Sequence, residues 1–368
     1  MRSTVLCLAL IACGHSAASI PDSHPGADAT GNDASGGDAG TCGGETCRGD
    51  QTCTGGSCEF ACTGAQVPGD YATIAGAVGA LGGQANAVIC LAPQAYDEGD
   101  LELSGVSLSL VGASADRTTI TTAHPVLTYG NVTTRGVSFS SQVIVEGGGG
   151  VLTAVGTRFQ QGLEVERYRI AVEDASASAI LDGCDVAGSI QLVDGATFAA
   201  SGNLALELRN SYVHDSDGYC VSAGLDASSA NLSITATGNT ITRCDIGIYV
   251  QITALDVATT MVVLSLFNNI IAHNTTTGLA LDTADALSDS TVNTGHNALW
   301  GNGANFSGNA VEGPGDVKQD CLLDGSTPPA LGAGSPCLAA GDPANSSPHD
   351  FWNLPRGTPP DVGAVESP

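Results

Sequence analysis

Between Gly156 and Ala298 the chain repeats itself. The pairs Gly156-Thr157, Gly183-Cys184, Asn210-Ser211, Asn239-Thr240, Asn269-Ile270 and Asn297-Ala298 recur at intervals of 27, 27, 29, 30 and 28 residues. A period in this range belongs to solenoids, in which each repeat buries its apolar face only against its neighbours. After each of the first five markers comes a turn and then a glycine that opens an alternating segment: Gly162 to Val165, Gly188 to Leu192, Gly218 to Val221, Gly247 to Val250 and Gly278 to Leu281. Alternation turns Leu163, Val165, Ile248, Val250, Leu279 and Leu281 inward and leaves Glu164, Tyr249 and Ala280 outside. Residues 63–315 are therefore expected to wind as an all-β parallel solenoid with at least two short strands per turn.

The composition agrees with a turn-rich β protein. Charged residues make up 13% of the chain, about half the usual quarter, and its 49 glycines are well above the ordinary share. Aromatic residues at 4% and the single Lys318 argue against a helical bundle or a basic amphipathic membrane binder. Eleven Lys and Arg against 38 Asp and Glu give a net charge of −27, which disfavours nucleic acid and suits neutral glycans or cationic partners.

The amino terminus reads as an export signal: Arg2, a short apolar run from Val5 to Ala12, and a close at Leu10-Ile11-Ala12-Cys13. An eight-residue apolar run is too short to span a bilayer. That ending resembles a bacterial lipobox, which implies residues 1–13 as signal, lipidation of Cys13, and a membrane connection through the lipid alone. An ordinary signal peptide is the alternative. The expected address is the outer membrane or cell surface, with secretion as the other outcome. Residues 14–41 hold almost no large apolar side chain and read as a linker. Cys42, Cys47, Cys53, Cys58 and Cys62 then fall within 21 residues and read as a disulfide segment over 42–62. Zinc is the rival, but CxxC spacing and a nearby His are both missing, so no metal is expected there. Spacing does not fix the pairing; two local bridges and a Cys62–Cys90 link are one solution. Without Cys7 and Cys13 the cysteine count is odd, so at least one of Cys184, Cys220 and Cys244 should stay free. Their unequal places in their coils argue for small buried thiols rather than a stacked bridge.

Val67 to Val78 followed by Ala87 to Glu98 resembles the opening of right-handed parallel β-helix proteins of the pectin-lyase-like superfamily. The resemblance implies a short capping helix and then the first strand. The residues agree, since Ile74, Ala77, Val78 and Leu81 fall at helical spacing and Val88 to Leu91 is a β-type run. At the other end, Gly334 to Pro343, Asp350 to Arg356 and Pro360 to Glu366 resemble the terminal segment of many secreted bacterial β-helix proteins, of the choice-of-anchor type. By that resemblance residues 316–368 should cover the last coil, with Cys321 and Cys337 bridged and Asp350 paired with Arg356.

Two sets of side chains carry the functional reading. Asn210, Asn239, Asn269 and Asn297 should stack at one corner as an internal amide ladder. Past the markers, His214, Asp215, Asp217, Arg243, Asp245 and His273 gather acids, bases and a cation on successive turns. His214, Arg243 and His273 share one offset and should stack at about 4.8 Å per rung. Such a set could serve glycoside hydrolysis, or uronate elimination with calcium on the acids. Only fragments of the polygalacturonase motifs are present: Asn297 follows Gly295-His296, and Ala171 follows Arg169-Ile170. The preferred expectation is a monomeric surface protein that binds a glycan or another surface protein without turnover and without a cofactor. A polysaccharide lyase or glycoside hydrolase, with calcium as a possible cofactor, is the alternative.

Overall fold

The computed structural model describes residues 41–43, 45–167, 176–194, 202–225, 230–252, 261–283 and 291–367. Cys13, the signal and most of the linker lie outside these residues. From Ala65 to Gly308 the chain forms a parallel β-solenoid. A representative coil runs through a long strand, Gly202–Arg209, a short one, Tyr212–His214, and a third, Tyr219–Leu225, before Ala230–Thr237 begins the next coil beside Gly202–Arg209. The short strands stack as a separate nine-stranded sheet. Inward residues of all three faces meet in one continuous core, from Ile89 and Leu110 through Leu181, Ile241 and Leu264 to Leu299. Leu163, Val165, Ile248, Val250, Leu279 and Leu281 are all in it. Ala280, expected outside, is only 5% exposed, because its methyl group lies level with the chain between the larger Tyr249 and Ser307 of the neighbouring strands.

The first coil is closed by α1 (Ile74–Leu81), which buries Ile74, Ala77 and Val78. Its start is capped twice: Thr73 Oγ1 accepts from Gly76 N, and the buried Glu98 carboxylate accepts from Ile74 N at 2.6 Å and Ala75 N at 3.3 Å. Ahead of it sits the disulfide segment, with Cys42–Cys53 and Cys47–Cys58 bridged within it and Cys62 bridged to Cys90 on the first coil. The sulfurs of Cys42, Cys47 and Cys58 lie within 4.8 Å of one another, and each is taken up in a bridge. Cys220 and Cys244 also form a disulfide, which corrects the expectation of free thiols at both. The bridge joins non-equivalent positions, from a strand start on one coil to the turn of the next. Cys184 alone is free among the described cysteines; burial pushes its thiol up to about 12. Five disulfides point to folding in an oxidising compartment. No helix among the described residues is long and apolar enough to cross a membrane.

The carboxy-terminal segment does more than cover the last coil. Asp316 Oδ1 accepts from Asn297 N and Val317 pairs with Ala298, which continues the winding briefly. The chain then turns back along the outer face of the short-stranded sheet. There Ile270, Ala272, Ala298 and Trp300 pack under Cys321, Cys337, Leu331 and Val362, and Tyr212 packs under Phe351, Ala364 and Val365. These outward apolar residues need a cover, which is why the short strands are buried on both sides. Cys321–Cys337 is bridged. Arg356 pairs with Glu366 at 3.3 Å, not with Asp350, whose carboxylate instead accepts from Trp352 N, Leu354 N and Glu366 N.

Candidate functional site

Strand register places two columns of residues beside the short strands. At the first corner Gly156, Gly183, Asn210, Gly238, Asn268 and His296 follow one another, all left-handed with φ between 50° and 63°. One residue later, on the inside, come Cys184, Ser211, Asn239, Asn269 and Asn297. Each of the first four backbone N–H groups donates to the side-chain oxygen one rung ahead, at 3.1, 2.8, 3.1 and 3.0 Å. Asn239 Nδ2 and Asn269 Nδ2 donate to the next Oδ1 as well. Asn210 is not in this ladder, which corrects the expectation: the coil from Ser211 to Asn239 is 28 residues, so Asn210 falls one place early. It sits at the left-handed corner, where Nδ2 donates to Asp182 and Ser347 and Oδ1 accepts from Arg356.

The same one-residue slip reorders the charged turn. Asp215, Arg243 and His273 form the column, continued by Gly301, and these four are again left-handed. His214 lies one place before, level with Thr242 and Ala272, so it does not stack with Arg243 and His273. Arg243 grips Asp215 with Nε at 2.6 Å and Nη2 at 2.9 Å. His214 Nδ1 is 2.7 Å from Asp215 and Nε2 is 2.8 Å from Asp185, while the ring stacks on Tyr212. Arg158 joins Asp185 at 2.8 Å to Asp116 at 2.7 Å. The result is an alternating chain of acidic and basic side chains, Asp116, Arg158, Asp185, His214, Asp215 and Arg243.

The remaining candidates stand apart. Asp245 accepts from the hydroxyls of Thr275 and Thr276, which hold its carboxyl below the usual range. Asp217 is exposed in the turn. His273 leans away over Gly301, edge-on to Trp300.

Electrostatics follow from these contacts. The Arg243 hydrogen bonds hold Asp215 down at about 2, against partial burial and with help from His214. Burial would raise Asp185, but hydrogen bonds from His214 and Arg158 outweigh it and the net shift is downward. A glycosidase acid needs a carboxyl raised toward neutrality and room for a sugar between two carboxyls. Here both carboxyls are lowered, and the His214 ring fills the space between them. The arrangement is built to hold three elements of adjacent coils together.

Sequence reasoning missed Asp116, Arg158 and Asp185, which belong to coils without the asparagine marker. It also missed two concavities. One, of about 420 Å³, opens where Arg48, Asp116, Arg158 and Asp185 meet Phe351 and Trp352. The other, of about 580 Å³, is a groove across four long strands. Its floor is two outward columns, Glu207, Thr235, Ser265 and Asn293 beside Arg209, Thr237 and Phe267, and its wall is the segment from Asn345 to Pro348. Alternation with the buried Leu206, Leu208 and Ile234 marks these residues as outward, and the wall comes from a segment with no periodicity. Searches with this chain find no matching family model, no similar curated protein and no similar solved structure.

Proposed function

We propose that the protein is an exported, non-catalytic glycan-binding β-helix of the pectin-lyase-like kind, held at the bacterial surface by lipid on Cys13. The groove carries this reading. Its floor offers hydroxyls, an amide and one Glu207–Arg209 pair at 2.9 Å, with Phe267 as an apolar platform. Such a mixture suits a neutral sugar chain, whose hydroxyls need donors and acceptors and whose ring faces need an aromatic surface. Rungs about 4.8 Å apart present these groups at a spacing close to one sugar unit. The turn cluster, whose acids are already engaged by Arg158, His214 and Arg243, serves as scaffold in this reading.

Calorimetric titration of residues 42–368 with neutral and acidic oligosaccharides tests it. Binding of a neutral glycan, weakened about tenfold in Phe267→Ala and unchanged in Arg243→Gln, is the expected result. Release of reducing ends or unsaturated uronates, lost in Asp215→Asn, would replace it with the lyase or hydrolase alternative.

A further inference from the structure

The disulfide segment and the carboxy-terminal segment meet along the first corner column. Phe60 covers Gly136 and Gly156, where an added Cβ would lie 2.3 and 3.1 Å from its ring. Arg48, 7% exposed, lies over Gly183. From there onward Arg356, Ser347 and Asp342 take over, at Gly238, Asn210 and Asn268. Two pieces of chain whose touching residues are 303 positions apart thus share one docking line. Arg48 Nη1 donates to Gly183 O and, in a short contact, to Phe351 O. Gly49 N donates to Trp352 O at 2.7 Å, and its Cα lies so close that a Cβ would sit 2.4 Å from Asn353 O.

We propose that the disulfide segment is a clasp: Arg48 and Gly49 hold the carboxy-terminal segment at Phe351 to Asn353, and that hold sets the groove wall from Asn345 to Pro348. The disulfide segment is too small to have a core of its own, so its two bridges keep Arg48 in place. Asp50 pairs with Arg48 Nε at 3.2 Å, while Nη1 donates to two carbonyls of different segments. Arg117 and Arg135 fasten the other side of the clasp, to Glu59 and over the Phe60 ring. Three of the chain's 11 cations, Arg48, Arg117 and Arg135, are therefore spent at this junction. From Phe351 the chain has only three residues to run back to Pro348 and the wall, so Arg48 and Gly49 are positioning residues for the groove. The clasp itself stands on geometry alone; its effect on the groove rests on the glycan reading above.

Hydrogen exchange on the full exported chain, with Arg48→Ala and Gly49→Ala beside the wild type, separates the two. Gly49→Ala leaves both bridges and Arg48 in place and only wedges the contact at Asn353, so it guards against a merely unfolded disulfide segment. Peptides covering residues 345–366 are expected to exchange at least about tenfold faster in both variants, with strands Thr240–Thr242 and Ile270–Ala272 unchanged. Affinity for the neutral glycan should fall several-fold in both, as is usual for coupling between sites. Unchanged exchange overturns the clasp. Faster exchange with unchanged affinity overturns its effect on the groove alone. A wild type that binds no glycan overturns the functional reading, and the exchange result still decides the clasp.

Discussion

Asn269 shows how much one amide does inside a solenoid. Its Oδ1 accepts from both the backbone N–H and the Nδ2 of Asn239, while its own Nδ2 donates to Ala236 O and to Asn297 Oδ1. The residue is fully buried. Asn269→Ala leaves those groups without partners or water, at about 1–3 kcal/mol for each one stranded. A loss of about 3 kcal/mol in urea unfolding is expected; a loss below about 1 kcal/mol would mean water enters the corner. Asp215 makes a different prediction. Its carboxyl sits at about 2 in the folded chain against an ordinary 3.8. A lowered folded value stabilises the fold above about pH 4, and that contribution disappears as the pH falls from 4 toward 2. The side chain is half exposed, so the effect on stability is small. A carboxyl-carbon NMR titration reads it directly: Arg243→Gln should move the Asp215 midpoint up toward 4, and an unmoved midpoint would show that Arg243 is not the cause.

At the scale of elements, what could be read from sequence was what repeats. Strand alternation and the spacing of Ile74, Ala77, Val78 and Leu81 were visible because burial on one face forces a period of two or about 3.6. Register was one residue off at Asn210 because coils differ in length, and a marker chosen by residue type does not know at which corner the extra residue is absorbed. The Cys220–Cys244 bridge was hidden for a related reason, since it links different positions of neighbouring coils. Contacts such as Arg48 with Phe351 or Arg356 with Asn210 leave no local pattern at all. Neither did Glu98, which looks like a strand residue yet caps α1 from 24 residues away. Two N–H groups at the helix start depend on its carboxylate, and the positive end of the helix dipole favours its charge. Glu98→Ala should cost about 2 kcal/mol by thermal or urea unfolding, with Glu98→Gln recovering part of it. Equal losses in both variants would point to packing rather than capping.

Across the whole molecule, the uneven placement of charge becomes the controlling quantity. The clasp and the turn network engage four of the described cations, Arg48, Arg117, Arg158 and Arg243, in short contacts with acids. Among the described residues, most acids stand outside such pairs. On one outer face Glu146 and Glu166 are direct register partners, with Glu164 close by; burial first, then those two neighbours, raises the Glu166 carboxyl. Parallel winding makes such encounters unavoidable, because like residues at like positions are stacked one strand spacing apart. Salt acts on both kinds of interaction, but unequally. The ion pairs are short and partly buried, so screening weakens them little, whereas the repulsion among exposed acids extends over many rungs. Raising the ionic strength from about 0.01 M to 0.15 M shortens the screening length from about 30 Å to about 8 Å, which leaves the pairs and removes most of the long-range repulsion. The melting temperature should therefore rise with salt, by roughly 2–4 °C for each kcal/mol of repulsion relieved. Scanning calorimetry at the two ionic strengths, away from calcium, measures the change. A fall instead would mean that the alternating chain from Asp116 to Arg243, rather than the net charge of −27, dominates the electrostatic stability of the solenoid.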